Sequence, residues 1–169
     1  GARWRLGVLS LAGATIGAVS LVLPHAAHAN VGALWSNVAL AYLGSIAVFV
    51  FGPRVPRWCF HVALAVGSVL ITRAVLLIHE SVSFYSVWFL WIGLYAFYFF
   101  TRIAAALHVT FAAGLYAITL IAHTPGSPFA RWLTTVATLV IAGLFIDTLV
   151  RRARLQAKYA AEGAELVAT

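Results

Sequence analysis

The sequence predicts an all-α integral membrane protein, a bundle of six transmembrane helices whose last helix runs on into the cytoplasm. Three observations carry that expectation. Of the 169 residues, 63% are hydrophobic and 9% charged, with a mean hydropathy of +0.99, so lipid must cover much of the surface. The apolar residues gather in runs close to the roughly 20 residues that cross a bilayer. The basic residues gather at one set of run ends, as expected when cytoplasmic flanks retain Arg and Lys during insertion.

The runs extend from Leu6 to Leu23, Ser36 to Gly52, Trp58 to His79, Phe84 to Phe100, Ile103 to Ala122 and Trp132 to Val150. Between them lie short connections rich in helix breakers: Pro24 to Trp35, Pro53-Arg54-Val55-Pro56, Glu80 to Ser83, Thr101-Arg102, and Thr124-Pro125-Gly126-Ser127-Pro128. Connections this short force neighbouring helices antiparallel. With the N terminus inside, the cytoplasmic side holds Arg3, Arg5, Arg54, Arg57, Arg102, Arg151, Arg152, Arg154 and Lys158, and the outside holds Arg131 alone. Both termini are therefore expected in the cytoplasm. Trp35, Trp58, Trp88 and Trp132 fall near run ends, where indole favours the interface.

The first run also resembles a secretory signal, with Arg3 and Arg5 before it and an Ala-x-Ala pattern within residues 25–30. Its length and the charge bias favour an uncleaved helix. Gly1 in place of a starting Met, and a polar helix at the other end, lead us to expect a piece of a longer protein. The reading divides the chain into a transmembrane domain, 1–150, and a cytoplasmic stalk, 151–169. In the stalk, Ala, Arg, Gln, Lys and Glu favour helix, and Leu155, Tyr159 and Leu166 lie on an imperfect heptad seam. Gly13 and Gly17 form a Gly-x-x-x-Gly pair for close approach of helices, within one bundle or between two copies.

No catalytic motif is present, and the acids number four, Glu80, Asp147, Glu162 and Glu165, so the chain is not expected to be an enzyme. Nucleic acid is not an expected partner, because the net charge of +7 is spread over helix ends rather than along a stripe. One cysteine, Cys59, excludes an internal disulfide and multi-cysteine metal sites.

Polar residues in or beside the membrane are costly and mark candidate sites. Arg73 lies inside the third run, about two turns from its outer end, with Glu80 seven residues on. His25, His28, His79 and His123 all fall at outer ends and form a weak candidate for a divalent metal. His61 and His108 lie just inside the third and fifth runs from the cytoplasmic side, where they could face one another as bis-imidazole ligands of a haem. Tyr85, Trp88, Trp91 and Tyr95 recur three to four residues apart on the fourth run and are placed to line a pocket for an apolar or aromatic ligand. The candidate ligand set is thus Arg73, His79, Glu80, His123, Tyr85, Trp88, Trp91 and Tyr95. No cofactor is predicted beyond these metal and haem possibilities. Asp147 and Arg151 are spaced i,i+4 and should pair.

The aromatic run from Phe89 to Arg102, the segment Arg131-Trp132-Leu133-Thr134-Thr135 leading to Gly143-Leu144, and the charged stalk after it together resemble the N-terminal membrane region of bacterial GGDEF diguanylate cyclases of the actinobacterial kind. That resemblance implies a sensory, dimerising membrane module in the bacterial inner membrane. Its last helix would pass a signal to a cyclase domain making c-di-GMP beyond Thr169. The cyclase's own catalytic residues have no counterpart in this chain. From other classes, the rival readings are a small transporter or channel, a haem-bearing membrane redox protein, and a structural anchor.

Overall fold

The computed structural model describes residues 2–22, 29–51, 56, 58–78, 84–123 and 126–168, with the side chains of 2–6, 9–10, 84–85 and 164–168 left aside. The described residues are all helical or loop, without strand. Six α-helices follow in order: α1 (Ala2–Val22), α2 (Val31–Phe51), α3 (Trp58–Ile78), α4 (Trp88–Phe99), α5 (Arg102–His123) and α6 (Pro128–Ala168). A short 3₁₀ turn, Phe84–Val87, leads into α4. Four of these helices, α2, α3, α5 and α6, are long and apolar enough to cross a membrane.

The fourth run does not form the single long helix expected of it. It divides into the 3₁₀ turn and a helix of 12 residues, which stops where Phe100 turns extended and its N–H closes on the Ala96 carbonyl. The second and sixth helices begin earlier than expected. Asn30 caps α2, its Oδ1 accepting from the Ala33 N–H at 3.0 Å, so the helix starts at Val31 rather than Ser36. Pro128, expected in the connection, is the first residue of α6, where its missing N–H costs nothing. Ser127 before it holds a positive φ of 58°.

Apolar side chains cover the outside. Leu43, Val50, Ile103, Ile121, Ile141 and Phe145 are all exposed, a surface that water would not tolerate and lipid would. Inside, α3, α4, α5 and α6 share one core built on Leu64, Phe89, Ile92, Ala96, Phe97, Val109, Tyr116 and Leu139. A smaller core of Leu21, Leu34, Ala74, Val75 and Ile78 joins the α1–α2 hairpin to one end of α3. Buried hydroxyls pair with the preceding turn of their own helix, as Ser68 does with Leu64 and Thr72 with Ser68.

Two glycines let α4 and α6 touch. A Cβ on Gly93 would stand 2.6 Å from Leu139, and one on Gly143 would overlap the Phe97 ring. Trp132 adds a bond from α6 to α5, its indole N–H donating to the Ala113 carbonyl at 2.9 Å. The two cores leave a gap between the α1–α2 hairpin and the α3–α4 pair.

Candidate functional site

That gap is a cavity of about 350 Å³ walled by the first four α-helices, within the 300–1,000 Å³ range usual for small-molecule sites. Small residues open it: Gly13, Ala14 and Gly17 on α1, Ala41 and Gly44 on α2, Ala63 and Gly67 on α3. Large ones close the far side, where Trp88, Trp91, Ile92 and Tyr95 project from α4. The rings of Trp88 and Trp91 lie 6.3 Å apart at 34°. Three of the four aromatics expected to line a pocket therefore do so; the side chain of Tyr85 lies outside the described residues.

Gly13 and Gly17 both face neighbours inside this chain. Gly13 faces Trp88, and Gly17 faces Val38 on α2, each with 3.6 Å from a would-be Cβ to its neighbour.

The wall holds one amide, which the run boundaries hid. Asn37 is 9% exposed. Its Nδ2 donates to the Leu70 carbonyl at 2.9 Å, tying α2 to α3. A carbonyl can only accept, so this bond fixes which end of the amide is nitrogen. The Oδ1 at the other end is buried without a hydrogen-bond partner, a situation costing about 1–3 kcal/mol. A signal was available in the sequence: Asn37 is the amide side chain within the apolar runs, and such residues are expensive in lipid.

Arg73 and His123 do not line the cavity. Arg73, half-buried on α3, reaches across to α2 and donates to Ser36 Oγ at 3.2 Å; its expected neighbours His79 and Glu80 fall outside the described residues. His123 ends α5 and sits 3.1 Å from the Thr119 carbonyl of the preceding turn. His25 and His28 also lie outside the described residues. Among the described residues no three His, Cys, Asp or Glu side chains gather closely enough to hold a metal.

His61 and His108 do face one another. His61 Nδ1 lies 3.1 Å from His108 Nε2, the rings are nearly parallel at 3°, and Phe100 stacks on His61 at 4.1 Å. One imidazole donates and the other accepts, so the two cannot both be protonated in this arrangement. With metal–imidazole bonds of about 2 Å, an ion held between these two nitrogens would need them nearer 4 Å apart; as arranged, the pair is a hydrogen bond.

Asp147 pairs with Arg151 as its i,i+4 spacing predicts, at 3.0 Å. The sequence did not disclose that Arg102, at the start of α5, also grips it, with Nη2 at 2.7 Å and Nε at 2.8 Å from Oδ2. Asp147 is buried between these two half-exposed arginines. Beyond it α6 leaves the bundle, and every residue from 151 to 163 is exposed. Leu155 and Tyr159 on the heptad seam stand 53% and 67% exposed; the side chain of Leu166 is outside the described residues. Lys158 and Glu162 pair along the stalk at 3.6 Å.

No family model, curated protein or solved structure matches the chain.

Proposed function

We propose that this chain is a membrane sensory and dimerisation module, crossing the bacterial inner membrane six times with both ends in the cytoplasm. Occupancy of the cavity between the α1–α2 hairpin and the α3–α4 pair changes the seating of α6. The sixth helix carries the change to an output domain, which by resemblance is a diguanylate cyclase. The carrying observation is α6 itself, 41 residues without a break and about 60 Å long. It packs against α4 at Gly93 and Gly143, is clasped by Arg102 at Asp147, and then projects with its seam uncovered. A helix gripped along half its length and free along the rest converts a small shift in the bundle into rotation or translation of the free end. Leu155 and Tyr159 are placed to meet the same residues of a second copy.

The one short helix, α4, fits this topology with little to spare. At 1.5 Å per residue for α4 and about 2 Å for the 3₁₀ turn, the fourth crossing reaches about 26 Å, close to the roughly 30 Å hydrocarbon thickness.

Helical phase tests the reading. With the chain fused at Thr169 to a diguanylate cyclase domain, inserting one Ala after Lys158 turns the output domain by about 100°, whereas inserting seven residues restores phase to within about 20°. The proposal expects the first insertion to change c-di-GMP output several-fold and the second to leave it close to the parent value. Equal output from both would overturn it.

A further inference from the structure

The joined histidines stand at the corner where three helices meet. His61 lies in the first turn of α3, His108 nearly two turns into α5, and Phe100 ends α4 between them. The Phe100 ring stacks on His61 at 4.1 Å and 21°, and its centre is 5.3 Å from that of His108. Among the described residues neither imidazole has another hydrogen-bond partner. A neutral pair has two protons for its four ring nitrogens, and one of them sits between the rings. A further proton goes to an outer nitrogen and leaves the inner bond whole. Yet another would have to take the inner acceptor, breaking the bond and setting two cations face to face. The pair therefore has room for one added proton.

Burial chooses the ring that carries it. His108 is 9% exposed and His61 is half-buried, so a charge costs less on His61. The face of Phe100 is there to receive that cation, and the bond to His108 becomes a charge-assisted one, shorter and stronger. We propose that His61 and His108 form a proton-binding site, in which one added proton rests on His61, fixes its Nδ1–H as the donor to His108 Nε2, and tightens the joint of α3, α4 and α5. Few other titratable groups stand near. Cys59 is two residues before His61 on α3, α4 brings the phenols Tyr95 and Tyr98, and α2 has Tyr42, bonded to Thr15. Arg102 of α5 is bonded to Asp147 of α6, which Arg151 shares; the three leave one positive charge, so the proton is held by the hydrogen bond and Phe100 rather than by an acid. Arg54 and Arg57 lie outside the described residues. Two residues after Phe100 comes Arg102, the clasp on α6. On the sensory reading above, acidification is thus an input to α6, and the site stands or falls separately from that relay.

The test uses the full chain, labelled with nitrogen-15 in its histidines, in phosphatidylcholine bilayers, with nuclear magnetic resonance at about pH 8 and about pH 5.5, either side of the usual imidazole range. Loss of signals in His61→Asn and in His108→Gln assigns the two rings. Coupling between ring nitrogens across the hydrogen bond is expected at both pH values. In acid His61 should carry two N–H groups and His108 one. Coupling that disappears in acid as both rings gain protons, protonation of His108 ahead of His61, or no protonation of either would each overturn the proposal, and this comparison needs no variant to fold. With a cyclase attached, output is expected to change several-fold between the two pH values in the parent, and to lose that difference in His61→Asn, whose amide bonds His108 without titrating. Protonation of His61 as described, with equal output at both pH values, would uphold the site and contradict the relay.

Discussion

Asn37 sits nearly two turns inside α2 with one half of its amide paired and the other half not. A buried oxygen without a partner costs the folded protein about 1–3 kcal/mol. Asn37→Leu exchanges the amide for apolar packing, and the Leu70 carbonyl it leaves behind belongs to a helix that can satisfy it. We expect the variant to unfold, in detergent, at a temperature no lower than the parent. A loss of several degrees would mean that the bond to Leu70, and not the free oxygen, is what the residue is for. The glycines give a sharper contrast. Gly93→Ala and Gly143→Ala place a methyl group into Leu139 and Phe97 and should each destabilise by about 1–3 kcal/mol, the usual range for overpacking. Gly44→Ala meets nothing within 4 Å and should be neutral or slightly stabilising, since Ala is the better helix former. Thermal unfolding of the three variants side by side separates close helix packing from mere glycine content.

The ion pairs decide how firmly α6 is held. Arg102 is 45 residues before Asp147 in the chain, so no local pattern announces their meeting; it follows from the antiparallel packing of α5 on α6, which sets the start of one beside the inner part of the other. Asp147→Asn removes the charge that both arginines share and should lower the unfolding temperature. Arg102→Leu should do the same, and the double variant should be no worse than Asp147→Asn alone, because the two changes remove one shared interaction. Additive losses would show that Arg102 and Asp147 act separately. Other features of the elements were open to inspection. The three-to-four residue recurrence of Trp88, Trp91 and Tyr95 put them on one face, and that face lines the cavity. His61 and His108 were placed at matching depths and they meet. Asn37 escaped because the second apolar run, read from Ser36, put it at a helix edge. The cap at Asn30 starts the helix a full turn sooner, at Val31, and moves the amide into the bundle. The 3₁₀ turn before α4 has no signal in the sequence that we can identify.

At the level of the whole molecule, two cores joined along α3 leave a cavity at their junction, and one long helix runs out beyond the larger core. A ligand shifts such a system only if it binds one arrangement of the hairpin and the bundle more tightly than another; equal affinity for both moves nothing. The stalk makes the second copy part of the account. Leu155→Asp and Tyr159→Asp together put like charges on the facing seams, and cross-linking in membranes should then yield monomer where the parent yields dimer. The most direct measurement joins the two ends. With Cys59→Ser as background and a nitroxide on Gln156→Cys, pulsed electron resonance in nanodiscs reads the distance between the two stalks of a dimer. We expect Gly67→Phe, which puts a ring into the cavity, to move that distance distribution and Gly114→Ala, whose methyl group meets nothing within 4 Å, to leave it in place. An unchanged distribution in a folded Gly67→Phe variant would contradict the claim that α6 reports whether the cavity is filled.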